Sequence, residues 1–405
     1  MKPILILSIP FIITALVIGS CNKKLESHHP VSDDGTVPTQ VTGVTVVNGN
    51  GNATISYALP KDSILAYVKA VYTITTGKEY TATASYYKNS LLVEGFADTL
   101  EHEVKLYSVS RSEVTSEPVT IKIKPLVAPI WQVYRNLQVT TAFGGFNLAA
   151  KNASKANISI IVTKKNVFNE YEADNDKSVF TNVDSILAKV RGLDTTEYRF
   201  GFLVKDRWGN KTDTIYKQIK PLYETELPKT NFSEFTLPGD APQWNNTETA
   251  VRYTWDGKYG WPFTSFTSQT AGGSNPHMIT FNTGVLARVS RVWIRPYPEG
   301  SSQGDRYYYL TTMKRFEIYG AANPSLNGAL DNTWTLLGSY TVTKPSGSPY
   351  GTDNSDDVAT AIAGFSWELD VNAPKVKYIR IRCLENFAGG TAQSINELRV
   401  YGDPR

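Results

Sequence analysis

From Val41 onward the chain is built of short segments in which apolar or β-branched residues take every second position, with Gly, Pro, Asn and Asp between them. Asn52-Ala53-Thr54-Ile55-Ser56-Tyr57 alternates cleanly, and the same pattern predicts strands over residues 67–75, 104–109 and 119–123. Helical spacing is absent until a short candidate over residues 183–190. The fold class this pattern predicts is all-β.

The pattern also repeats. Ile121-Lys122-Ile123-Lys124-Pro125-Leu126 returns as Gln218-Ile219-Lys220-Pro221-Leu222, Gly95 returns as Gly192 and Arg111 as Arg207, at nearly constant offset. Asn52-Ala53-Thr54-Ile55 is echoed in turn by Ala156-Asn157-Ile158-Ser159-Ile160. Two tandem modules of about a hundred residues follow, each closed by a Lys-Pro-Leu sequence whose Pro ends the last strand.

Ahead of the strands, Lys2 precedes an uncharged, largely apolar run over residues 4–18 and then Ile18-Gly19-Ser20-Cys21. A positive start, a short hydrophobic centre and small residues before a cut describe a secretion signal. The run is shorter than the roughly 20 residues a membrane helix needs. Its last four residues resemble a lipobox, which implies acylation of Cys21 as the first residue of the mature chain. Residues 22–39 hold almost nothing apolar to bury and read as a tether. Fully extended at about 3.3 Å per residue, the tether would reach on the order of 60 Å.

Composition narrows the function classes. Net charge is +3 with basic residues scattered, so the chain carries no nucleic-acid footprint. The four His residues form no HxH or HExxH spacing and the two Cys no CxxC, which removes zinc sites and Cys/His nucleophile pairs built from sequence neighbours. His28-His29 reads as a solvated linker pair. Cys383 alternates with Ile379 and Ile381 and reads as a buried, inert thiol, and with Cys21 lipidated it has no disulfide partner. The 23 Tyr and 8 Trp are many for a chain with 20% charged residues, and their flat faces suit both sandwich cores and binding surfaces.

In the second module, Gly192-Leu193-Asp194-Thr195-Thr196-Glu197-Tyr198 resembles the tyrosine corner of fibronectin type III domains, which implies a Tyr198 hydroxyl bonded to nearby backbone. The first module departs from it, with His102 near the equivalent place. Trp208, in a turn, reads as packed against a neighbour rather than as a ligand platform.

From about Leu227 the texture changes, with Trp244, Trp255, Trp261, Trp293, Trp334 and Trp367 in one region. Tyr253-Thr254-Trp255-Asp256-Gly257, the segment from His277 to Gly284, Phe316-Glu317-Ile318-Tyr319-Gly320 with Trp334-Thr335-Leu336-Leu337-Gly338, and Ile395-Asn396-Glu397-Leu398-Arg399-Val400-Tyr401-Gly402 resemble, in order, the conserved pieces of discoidin (coagulation factor 5/8 type C) domains. The resemblance implies a galactose-binding-like jelly-roll β-sandwich, similar to carbohydrate-binding family 32, with sugar held by loops at one end and a structural calcium beside them. The expected layout is a signal peptide over residues 1–20, a lipid-anchored tether over 21–40, fibronectin/Ig-like sandwiches over 41–126 and 127–223, and a discoidin-like module over 224–405. That layout is similar to Bacteroidetes lipoproteins found with SusC/SusD-type glycan-uptake systems, which implies an outer-membrane, cell-surface location and SusC/SusD-like partners.

A sugar ring offers an apolar C–H face and a rim of hydroxyls, so its site needs an aromatic plane bordered by donors and acceptors. Three loops supply both: residues 255–263 with Tyr259 and Trp261, residues 295–309 with Arg295, Tyr297, Arg306 and Tyr308, and residues 385–390 with Asn386 and Phe387. The family likeness places an aromatic platform on Phe387 and one early Trp in the core, leaving Trp261 open between core and site. Asp256 is either a calcium ligand with backbone carbonyls or a plain Asp-Gly turn. A glycosidase needs two carboxylates flanking the bond. Among Asp305, Glu317, Glu385 and Glu397, the strand positions of Glu317 and Glu397 read as outward-facing. The expectation is a glycan-binding protein that is not an enzyme, with a protein-binding adhesin, a structural subunit of an uptake complex or a glycoside hydrolase as alternatives.

Overall fold

The computed structural model describes residues 35–245, 247–270, 272–300 and 304–405. The secretion signal, Cys21, His28 and His29 lie outside the described residues. The fold is all-β, in two compact units that part between Ala128 and Pro129. Among the described residues no helix is long and apolar enough to cross a membrane.

The first unit contains β1 (Thr42–Gly49), β2 (Asn52–Ala58), β3 (Leu65–Thr73), β4 (Glu79–Ser85), β5 (Ser90–Glu94), β6 (His102–Ser110) and β7 (Val119–Ile123). One sheet runs β1-β2-β5 and the other β4-β3-β6-β7, with antiparallel pairing throughout. The period-two pattern explains the sandwich. Ala53, Ile55 and Tyr57 of β2 point inward, as do Val68 and Ala70 of β3 and Val104 and Leu106 of β6. Buried aliphatic side chains of both sheets thus form one core.

The second unit opens with a helix that the spacing does not reveal, α1 (Pro129–Asn136). Its proline sits at the first helical position, where no N–H is needed, and only Ile130 and Val133 are buried. Then follow β8 (Gln138–Ala142), β9 (Gly145–Lys151), β10 (Ile158–Lys165), β11 (Tyr171–Ala173), β12 (Val179–Thr181), β13 (Ser185–Val190), β14 (Tyr198–Asp206) and β15 (Ile215–Ile219). The sheet orders are β8-β9-β13 and β11-β10-β14-β15, with β12 also on β10, the arrangement of the first module over again. The helix expected at 183–190 is therefore strand β13. Its six residues pair one for one with β9 and leave Leu187 exposed, so the open edge of β9 outweighs the helix propensity of Leu, Ala and Lys.

The repeat is a structural device. Leu126 donates its N–H to the Gly49 carbonyl at 2.9 Å and accepts from Gly51 at 3.0 Å. Leu222 does the same with Ala142 at 3.0 Å and Gly144 at 2.8 Å. In each module the Lys-Pro-Leu segment closes onto the first hairpin turn. Gly95 and Gly192 share a positive φ, 102° and 85°. The echo between residues 52–55 and 156–160 does not mark equivalent strands, since β2 is the second strand of its module and β10 the third. The Tyr198 hydroxyl donates to the Asp194 carboxylate at 2.8 Å. Trp208 lies half-buried with the Arg207 guanidinium 4.7 Å from its ring.

The rest of the second unit is a third β module. It comprises β16 (Thr225–Glu226), β17 (Ser233–Glu234), β18 (Ser265–Phe266), β19 (Met278–Arg295), β20 (Met313–Ala321), β21 (Thr335–Thr341), α2 (Ser355–Ala363), β22 (Phe365–Glu368), β23 (Val376–Asn386), β24 (Ser394–Ile395) and β25 (Glu397–Asp403). β19 changes partners halfway. Residues up to Asn282 pair with β23, while Arg288 to Arg295 pair with β25. Gly284, at φ 70°, sits at the bend against the Asn231 backbone, where a side chain would collide. Phe281, Val292, Phe316, Ile318, Ile379, Ile381 and Cys383 fill the core. Burial pushes the Cys383 thiol up to about 12.

This module is joined to the one before it by charge. Arg191, at the end of β13, donates to the Phe143 carbonyl and to Glu368. Glu224 accepts from Ser290 Oγ at 2.6 Å and Arg291 Nε at 3.3 Å.

Candidate functional site

The first of the three expected loops, residues 255–263, is held by the start of β25 and the residues just before it. Asn396 Oδ1 accepts the Gly260 N–H at 3.2 Å, and its Nδ2 donates to the Phe263 carbonyl at 2.8 Å. Glu397 Oε2 accepts the Gly257 N–H at 3.2 Å, and its other oxygen is ion-paired with Lys229. The Thr264 hydroxyl donates to the Ile395 carbonyl at 2.9 Å. Residues 256–263 are thus fastened along one side, which turns Tyr259 and Trp261 outward. Glu397 is buried, not outward-facing as its strand position suggested. Burial raises its carboxyl, and the Lys229 ammonium only partly offsets that.

Trp244 arrives from an earlier loop. Its N–H donates to the Phe266 carbonyl at 2.7 Å, the Phe266 N–H donates to Gln243 Oε1 at 2.8 Å, and the Thr249 hydroxyl donates to the Trp244 carbonyl. The Trp244 and Trp261 ring centres lie 5.6 Å apart, and Trp261 lies 6.3 Å from Tyr297. Phe266 supports both Trp244, at 6.0 Å, and Tyr297, at 5.9 Å edge-on. Trp244, Tyr259 and Trp261 are 48%, 46% and 40% exposed, a cost in apolar hydration that a folded chain avoids where it can. Trp255 instead packs on Phe232 and Phe281 in the core, which resolves the choice for Trp261 in favour of the surface.

Polar groups border the rings. The Arg295 guanidinium lies 4.0 Å from the Tyr259 ring, and its Nε–H is buried without a protein acceptor. Burial raises the Tyr297 hydroxyl, with the charges of Glu299 and Asp305 adding to the effect. Burial raises the Glu299 carboxyl as well, against the hydrogen bonds it accepts from the Thr311 amide and hydroxyl.

The other expected residues lie apart from this cluster or beneath the surface. Tyr308 is 1% exposed and donates its hydroxyl to the Asp357 carbonyl at 3.3 Å, so it is a core side chain. Asn386 is buried and its amide is spent within its own loop, accepting from Ala388 and Gly390 and donating to the Ala392 carbonyl. Phe387 is half-buried, edge-on to Tyr308 at 5.5 Å, and packs on the core rather than standing free as a platform. Arg306 lies over Tyr309 at 5.0 Å, on the far arm of the 295–310 hairpin. Trp244 and Phe266 join the cluster from outside the three expected loops. The available signal was a Trp in a polar run, Gln243-Trp244-Asn245.

Three of the four carboxylates considered for catalysis are engaged separately, and Asp305 is exposed. Glu317 accepts from Tyr319 and Arg382, Glu385 from Lys314 and Arg315, and Glu397 from Lys229. Asp256 is exposed, and its Oδ1 accepts the Lys258 N–H at 2.8 Å as in an Asp-Gly turn. Among the described residues no three His, Cys, Asp or Glu side chains converge as a metal site, and Lys229 already neutralises Glu397 beside Asp256.

Three family models match, each described as a domain of unknown function: DUF4959 over residues 38–125, DUF5126 over 126–230 and DUF5000 over 255–402. No curated protein matches the sequence. Among solved structures, the chain is similar to the SusE-like protein BT2857, at 25% identity and TM-score 0.43 over 68% of this chain and 100% of that one. It is also similar to the C-terminal domain of a chitobiase from Bacteroides fragilis, at 15% identity and TM-score 0.29 over 44% of this chain and 97% of that one. A two-domain fibronectin type III segment of chicken tenascin matches at 12% identity and TM-score 0.22, over 45% of this chain and 99% of that one.

Proposed function

We propose that this chain binds glycan through its C-terminal module, without cleaving it, while acylated Cys21 holds it to the outer membrane with the modules facing outward. The observation that carries the reading is a set of exposed aromatic side chains: Trp244 and Trp261 seated on Phe266 and Tyr297, and Tyr259 against the Arg295 guanidinium. Exposed rings in fixed positions offer the apolar face of a pyranose a plane to stack on, and the Arg295 donors and Tyr297 hydroxyl suit its hydroxyl rim. The discoidin-like sequence resemblance supports the same use of loops at one end of a sandwich. The likeness of the whole layout to Bacteroidetes lipoproteins supports a role beside SusC/SusD-like partners in polysaccharide uptake.

The test is a glycan array probed with the full mature chain and with Trp261→Ala. Binding by the parent that the variant loses supports the reading. A folded parent that binds none of the arrayed glycans overturns it. Cys21→Ser is expected to move the protein from the membrane fraction to the soluble fraction, and an unchanged distribution overturns the anchor.

A further inference from the structure

The 295–310 hairpin carries a second aromatic surface on its other arm. Glu299 and Arg306 exchange both backbone hydrogen bonds, which sets Tyr297 on one arm and Tyr309 on the other. Tyr309 lies between the Arg306 guanidinium at 5.0 Å and the Tyr350 ring, stacked at 4.9 Å with 25° between planes. The outermost ring, Tyr350, is 49% exposed. Leu310 beside it is 40% exposed and held at φ 39°, a conformation costly for a leucine, and its N–H donates to the Tyr350 hydroxyl at 3.3 Å.

What holds Tyr350 there is a buried ion pair. Lys344 and Asp353 meet at 2.9 Å with side chains 6% and 4% exposed. The remaining donors of Lys344 go to the carbonyls of Pro349 at 3.1 Å and Thr352 at 2.8 Å, on either side of Tyr350. Asp353 Oδ2 accepts the Tyr307 N–H at 3.0 Å, which fastens the 349–352 turn to the hairpin. Burying two charges is a poor way to gain stability and a good way to fix a geometry. The geometry fixed here is that of an exposed ring.

We propose that Tyr350, backed by Tyr309 and Arg306, is a second pyranose-stacking subsite, so that the module reads a stretch of polysaccharide chain rather than a single sugar. The inference rests on the glycan-binding reading of the Trp261 cluster and extends it along the hairpin. Tyr297, which seats Trp261, and Tyr309, which backs Tyr350, stand on arms paired through Glu299 and Arg306, so both surfaces act together on any chain long enough to span them.

The test is calorimetric titration of the full mature chain with cello-, xylo-, malto- and manno-oligosaccharides from dimer to octamer, alongside Trp261→Ala and Tyr350→Ala. For the series that binds, parent affinity rises with length. Tyr350→Ala lowers octamer affinity roughly three- to tenfold and flattens that rise, whereas Trp261→Ala weakens every length. Thermal unfolding of Tyr350→Ala, whose ring is half-exposed, checks that the fold is intact. If parent affinity does not rise with length, or Tyr350→Ala changes all lengths equally or none, the second subsite is overturned and the first stands. If the parent binds no series, the underlying reading falls and this inference with it.

Discussion

His102 donates from Nε2 to Asp98 Oδ1 at 2.7 Å, four residues back in the chain. In the second module Tyr198 and Asp194 stand in the same relation at 2.8 Å, although imidazole has replaced phenol. Sequence alone read His102 as a departure from the tyrosine corner. The structure shows an aromatic donor and a carboxylate closing the same turn in both modules. Burial pushes the Asp98 carboxyl up, but the bonds it accepts from His102, the Leu100 N–H and the Thr75 hydroxyl hold it below the usual range.

His102→Ala is expected to destabilise the first module by about 1–2 kcal/mol, losing the bond to Asp98 and the tilted contact of its ring with Phe96 at 4.6 Å. His102→Tyr restores the second module's pairing and is expected to stay within about 1 kcal/mol of the parent. Urea unfolding of the three proteins measures the order. Equal losses for both variants would show that the carboxylate contact contributes nothing.

Phe387 and Trp261 should separate by type of effect. Trp261→Ala removes an exposed ring, so glycan affinity falls by about 1–3 kcal/mol while the melting temperature holds. Phe387→Ala opens a gap beside Tyr308 and is expected to cost about 2–4 kcal/mol of stability instead. Paired melting and binding measurements decide. Lost binding with unchanged melting for Phe387→Ala would return that residue to the site.

His277 is 3% exposed, its Nδ1 lies 3.0 Å from the Thr267 hydroxyl, and burial lowers its pKa. The unfolded chain therefore takes up the proton first. The contribution of neutral His277 is complete above the unfolded pKa of about 6.5 and is lost as pH falls from there towards the lower folded value. Stability of the second unit is expected to drop between neutral pH and pH of about 5, and His277→Gln to flatten that slope. Identical pH profiles for parent and variant would assign the acid sensitivity to other groups.

Arg191 joins two modules through the Phe143 carbonyl and Glu368. Arg191→Met keeps the aliphatic stem but leaves the half-buried Glu368 with only Lys189, at 3.9 Å, for an expected loss of about 1–3 kcal/mol. In calorimetry the second unit should then split into two transitions. One unbroken transition at the parent's temperature would show that the modules are coupled without this residue.

Cys383 is fully buried with its thiol raised to about 12, so a thiol reagent at neutral pH should leave it untouched until the chain unfolds. Rapid modification of native protein would place it at a surface. The strand position of Cys383, in step with Ile379 and Ile381, already pointed to this.

The sequence by itself determined the all-β class, many of the strands and the repeat of two modules, though not strand β13 or helix α1. Residues 119–123 form β7 as their alternation predicts, because a two-residue period records which face of a strand is apolar. The recurrence of Leu126 as Leu222 was visible because one local closure is written twice. Alternation does not say what lies against the polar face. Glu397 reads as solvent-facing, yet Lys229, 168 residues earlier, covers it. The same limit applies to the aromatic surface. That Trp255 fills the core while Trp244 and Trp261 meet outside it depends on where Asn396 and Glu397 fasten a distant loop. Strand periodicity is a property of neighbours in the chain. The site is a meeting of loops far apart in the chain, and only the packing of β19, β23 and β25 brings them to one end.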